Sequence, residues 1–92
     1  MKLPLRRFGR TNINIPIMTL GGMRFQKSWN EKDSHKISND DQNNIERILN
    51  IADRYGFYHI ETARYYGTSE LQLGNAFSNI STEKIIMQTK IP

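Results

Sequence analysis

Apolar positions along this chain change their period several times, and each change marks an element. Over Ile13–Met18, Ile13, Ile15 and Ile17 alternate with Asn14 and Pro16, the two-residue period of an extended strand. The preceding run Leu3–Phe8 and the turn-forming Gly9-Arg10-Thr11-Asn12 complete a predicted hairpin. A further strand at Met18–Leu20 ends at Gly21-Gly22, because paired glycines suit a turn where backbone approaches another group closely. From Arg24 to Asn44 aliphatic residues nearly vanish and both signs of charge mix, which predicts a long, mobile polar loop. Its Trp29 has two readings, the wall of a binding pocket or an aromatic lying on the loop's own surface.

The period then becomes helical. Ile45, Ile48, Leu49 and Ala52 fall at i, i+3, i+4 and i+7, so a helix begins near Asn39 or Asp40, either of which can cap it, and Gly56 stops it after Tyr55. Phe57–Ile60 reads as a short strand. Ser69 with Gln72 three positions on forms a candidate capping box, and Leu73, Ala76 and Phe77 give the helix behind it a buried stripe. Lys84–Ile91 contains the apolar, β-branched run "IIMQT", a last strand. Hairpin, strand, helix, strand, helix, strand is an α/β order, and strands joined by helices of this length make right-handed βαβ units in a parallel sheet.

Composition narrows the picture. Ninety-two residues make one small domain with modest core-building capacity. The absence of cysteine excludes disulfides, thiolate zinc sites and a cysteine nucleophile. The start "MKLPLRRFGR" has no apolar leader and no run approaches the roughly 18 apolar residues of a membrane helix, so the expectation is a cytoplasmic protein with no membrane partner. The net charge of +4 is carried by Lys2, Arg6, Arg7 and Arg10, leaving nine basic and nine acidic residues in the rest of the chain. A short basic arm can touch phosphate, but no base-reading motif follows it, so the arm reads as a solvated strand edge and no nucleic-acid partner is expected.

Topology then places chemistry. Every strand of a parallel sheet delivers its C-terminal end to one rim, where α/β proteins hold their sites. Here those ends are Leu20-Gly21-Gly22, Ile60-Glu61-Thr62 and Thr89-Lys90. Glu61 and Lys90 should therefore stand on neighbouring strands about 4.8 Å apart, as an ion pair. Tyr66 follows on the loop over the same rim. A phenol with its ordinary pKa near 10 donates poorly at neutral pH unless a cation such as Lys90 favours its ionised form. The three read as a general acid with its tuning pair. From spacing alone they also suit a surface ion pair beside a packed ring, the commoner arrangement near strand ends.

Several segments together resemble the aldo-keto reductase family. The hairpin "RRFGRTNINIPIM", the strand and glycine turn "TLGGMRF", "ETARYYG", "SELQLG" and "QTK" occur in the family's order, the third against D-T-A-x-x-Y-G and the fourth against S-E-x-x-L-G. The resemblance implies a (β/α)8 TIM barrel with a bottom hairpin and NADP(H)-dependent reduction of a small-molecule carbonyl substrate. It implies Tyr66 as catalytic proton donor, Lys90 lowering its pKa, and Glu61 in the place of the family's aspartate. Gly21, Gly22 and Met23, with Glu61, match the segments beside the nicotinamide. No metal is implied in this stretch, and no motif speaks to oligomeric state. The family's catalytic histidine belongs to the strand after the lysine. Neither His35, in the polar loop, nor His59, expected as a packed, hydrogen-bonded ring, takes that role.

A complete barrel takes about 250 residues. The expectation is therefore one partial domain, 1–92, with a hairpin at 3–18, a polar loop at 24–44 and a βαβαβ unit over 18–91, supplying about three barrel strands and two helices. It is expected either as the N-terminal part of a reductase, not active alone, or as a non-catalytic truncated remnant or interaction module.

Overall fold

Helix α1 (Asn39–Tyr55) shows how the sequence writes its own boundaries. The Ser38 hydroxyl accepts from the Asp41 amide at 3.1 Å, and the Asp41 carboxylate accepts in return from Ser38. The cap thus falls one residue before Asn39, because only Ser38 has a carboxylate three positions on that reciprocates. At the other end Gly56 takes the left-handed conformation (φ 81°) and its amide reaches the carbonyls of Ala52 and Asp53. Ile45, Leu49 and Ala52 are buried on one face of the helix, as the period predicts.

The computed structural model describes residues 2–81 and 83–91; Met1, Thr82 and Pro92, which the expected 1–92 domain includes, lie outside the described residues. Strands β3 (Leu20–Gly21), β4 (His59–Glu61) and β5 (Ile86–Gln88) form an open parallel sheet in the order β3-β4-β5. Leu20 is paired with Ile60, Gly21 with Glu61, and Glu61 with Gln88. Helices α1 and α2 (Ser69–Phe77) cover one face. Ile45, Leu49, Ile60, Leu73 and Ala76 form the core between them, each large aliphatic contributing roughly 1.5–3 kcal/mol by leaving water.

Strands β1 (Leu5–Arg7) and β2 (Asn14–Pro16) make the predicted antiparallel hairpin, shorter than 3–8 and 13–18. The Leu3 amide donates to the Tyr55 carbonyl, and the Phe8 ring lies 6.3 Å from that of His59, the first residue of β4. The hairpin therefore closes the end opposite the rim. Pairing also shifts the barrel strands. The first runs Leu20–Gly21 rather than Met18–Leu20, the second includes Glu61, and the third spans only Ile86–Gln88 of 84–91.

Two further expectations are corrected. Residues 24–44 are not a free polar loop: α1 begins inside them, and 3₁₀ turns form at Met23–Phe25 and Glu31–Lys36. Polar side chains there satisfy backbone locally, the Asn30 side-chain oxygen Oδ1 accepting from the Lys32 amide. Nor do Ser69 and Gln72 form a capping box. Thr68 is the N-cap, without a side-chain cap bond, and Ser69 is spent elsewhere.

Candidate active site

The rim carries Gly21 from β3, Glu61 from β4 and Lys90 just beyond β5. Alternation along the strands puts Thr19, Gly21, His59, Glu61, Gln88 and Lys90 on the face away from the helices, which is the inside of a barrel. Lys90 Nζ pairs with Glu61 Oε2, donates to the Tyr66 hydroxyl at 3.1 Å and to the Thr62 carbonyl at 3.1 Å, and lies 4.7 Å from the centre of the Tyr66 ring. The Tyr66 hydroxyl is 3.4 Å from the same carboxylate oxygen. The structure thus brings together all three residues of the expected acid and its pair. Hydrogen bonding to Glu61, then to Tyr66, holds the Lys90 ammonium above its usual pKa.

Tyr66 reaches this point because its loop is pinned on both sides. Behind it, the Tyr66 amide donates to the Ala63 carbonyl and the Ser69 amide to the Tyr66 carbonyl, a tight turn into α2. Ahead of it, Gly67 sits at φ 55°, and a side chain there would fall 1.8 Å from the Ser28 carbonyl oxygen. The polar segment crosses directly over this glycine. Buried Thr68 and Gln72 hold the crossing: the Lys27 amide donates to both side chains, and the Thr68 amide donates to the Ser28 carbonyl. The Ser69 hydroxyl donates to the Gly22 carbonyl and is hydrogen-bonded with Thr62, tying the glycine turn to α2. The sequence pattern did not single out Thr68 and assigned Ser69 and Gln72 to a cap rather than to these contacts, since polar residues at a helix start look like caps. Gly67 before three polar residues was the available clue.

Gly21 and Gly22 have opposite surroundings. A side-chain carbon at Gly22 would fall 2.6 Å from the Glu61 carbonyl oxygen, whereas one at Gly21 would meet nothing within 4 Å. Met23 opens the following 3₁₀ turn and is partly exposed. Trp29 lies on the surface, 63% exposed, beside Arg64 and Tyr65 in a shallow cleft. His59 is a packed ring, its two nitrogens 2.8 Å from the Thr19 hydroxyl and 2.9 Å from the Gln88 amide oxygen. His35 stays on the exposed polar segment. Among the described residues no group of three or more carboxylates and histidines is placed to hold a metal ion, and no helix is long and apolar enough to cross a membrane.

Parallel strands with alternating helices, a hairpin closing the bottom and side chains gathered on the C-terminal rim define part of a TIM barrel with its sheet open. The aldo/keto reductase family model matches residues 17–92, and the chain belongs to that family. Two solved chains of Pseudomonas aeruginosa, each assigned as an aldo-keto reductase, superpose with a TM-score of 0.73 at 25% and 26% identity. Each match covers 95% of this chain and 30% of the solved one, so the chain spans under a third of those relatives. No curated protein matches the chain.

Proposed function

We propose that this chain supplies the proton-donating part of an NADP(H)-dependent carbonyl reductase site. The observation that carries the reading is the Lys90 ammonium held between Glu61 and the Tyr66 hydroxyl at the barrel rim. Tyr66 donates its proton to the carbonyl oxygen of a small-molecule substrate. Lys90, which already donates to that phenol oxygen, meets the negative charge left on it, and Glu61 keeps the ammonium charged and aimed.

Gly21, Gly22 and Met23 fit a flat ring laid beside this rim: Gly21 leaves open space above the backbone, and Gly22 permits the turn that brings β3 against β4. Glu61 would border the same ring. When bound, reduced nicotinamide supplies the hydride that reaches the carbonyl carbon. The charge layout supports a role without nucleic-acid partners, its basic surplus being confined to residues 1–10 in and around the exposed first strand.

The test is NADPH oxidation with a panel of aldehydes and ketones by the expressed protein, with and without Tyr66→Phe. The expected result is loss of reduction with NADPH affinity nearly unchanged. Loss of both would make Tyr66 a structural residue. No NADPH binding by the unaltered protein would favour the non-catalytic reading.

A further inference from the structure

The inward face of the sheet carries two rungs of the same geometry. Glu61 is the register partner of Gln88 but is bonded to Lys90, two residues further along the chain and just beyond β5. His59 is the register partner of Ile86 but is bonded to Gln88, again two further along. Each side chain of β4 therefore reaches one step diagonally towards the rim. Gln88 is the residue standing directly opposite Glu61, with strand axes about 4.8 Å apart, within easy reach of a primary amide to a carboxylate. Instead its amide oxygen is 2.9 Å from His59 Nε2. With an acceptor there, Nε2 carries the imidazole proton and Nδ1 accepts from the Thr19 hydroxyl, 2.8 Å away.

We infer that His59 is a positioning residue: by holding the Gln88 amide one step down the sheet, it keeps Gln88 from competing with Lys90 and Tyr66 for the Glu61 carboxylate. Phe8, packed against the imidazole from the hairpin, fixes the ring from the far side. The effect of His59 on chemistry is thus exerted through Gln88. This rests on the reading of Glu61, Lys90 and Tyr66 as a proton-donating unit, but the arrangement itself is measurable without turnover.

Two kinds of measurement test it. In the unaltered chain, imidazole ¹⁵N shifts should show the proton on Nε2, and the Gln88 side-chain amide should give Overhauser contacts to the His59 ring. A proton on Nδ1, or contacts from that amide to Glu61 instead, would overturn the inference whether or not the protein reduces carbonyls. In variants, His59→Leu frees Gln88. The Lys90 ammonium, followed by ¹⁵N-lysine NMR, should then titrate lower than in the parent, and kcat for reduction should fall on the order of tenfold to a hundredfold with KM little changed.

The double variant His59→Leu/Gln88→Leu removes the competitor as well and should recover both properties, while Gln88→Leu alone should resemble the parent. A merely structural histidine predicts the reverse, with the double variant at least as impaired as His59→Leu. That outcome would sink the proposal. If no variant or parent turns over substrate while the imidazole proton and Lys90 titration behave as stated, the reductase reading fails and the positioning of Gln88 stands.

Discussion

At the residue scale, one carboxylate decides how the rim is wired. The same Glu61 carboxylate oxygen meets both the Lys90 ammonium and the Tyr66 hydroxyl. Lys90 sits above its ordinary value of 10.5 because of Glu61 first and Tyr66 second. A group whose folded pKa is raised adds stability that is complete below its unfolded pKa and disappears as pH climbs through the folded one. Glu61→Gln should therefore lower the Lys90 pKa towards 10.5, seen by ¹⁵N-lysine NMR, and reduce chemical stability at pH 8 relative to the parent. The two proteins should converge in denaturant midpoint at pH values above the folded Lys90 pKa. A gap that persists there would assign the difference to packing rather than charge.

Gly67 makes a second prediction at the same scale. Gly67→Ala places a carbon against the Ser28 backbone and a side chain at positive φ, a conformation that alone costs about 1–3 kcal/mol. No rotamer relieves a backbone clash, so urea unfolding should show a loss at or above that range, with a changed Trp29 emission from the displaced segment. Gly21→Ala, where a side chain meets only open space, should leave the urea midpoint unchanged and weaken NADPH binding. The rim trio was legible in the sequence because strand ends converge whatever the side chains do. The Gly67 crossing was not, because it depends on where residues nearly forty positions earlier return.

Elements fared according to how local their determinants are. The stripe Ile45, Ile48, Leu49, Ala52 and the terminal Gly56 are properties of one helix, and α1 follows them closely. Its cap needed only the comparison of Ser38 and Asp41, three residues apart, against Asn39 and Asp40, which lack that partner. For α2 the local pattern misled. Ser69 and Gln72 have capping-box spacing, yet Ser69 turns to Gly22 and Gln72 to Lys27, tertiary partners that outbid the local bond. Ser38→Ala should cost about 1 kcal/mol of stability at neutral pH. The Ser38 hydroxyl holds the Asp41 carboxylate below its usual 3.8, so the part of the cap that runs through this carboxylate is present above about that pH and lost as pH falls through the folded value, while the bond from the Asp41 amide to the Ser38 hydroxyl remains. Thermal melts of parent and Ser38→Ala at pH 7 and pH 2.5 check this, and an undiminished difference at the lower pH would refute the role of the carboxylate.

For the whole molecule, the consequence of spanning 30% of its solved relatives is an open sheet. The strand order was legible because the periods change cleanly from two to 3.6 and back. The lengths of the strands were not, because pairing with a neighbour, rather than apolar run length, sets where a strand begins and ends. Among the described residues, strand β4 has a partner on each side, whereas β5 has one. On β5 the Ile86 amide donates inward to the Tyr58 carbonyl, and the Gln88 carbonyl accepts from the Thr62 amide. Backbone groups alternate in direction along a strand, so the Met87 amide between them points to the open edge. Hydrogen exchange followed residue by residue should find the Ile86 amide protected and the Met87 amide exchanging orders of magnitude faster, at a rate close to that of solvent-exposed backbone. Comparable protection at both positions would mean that β5 is paired on its outer side in solution and that the sheet is not open there.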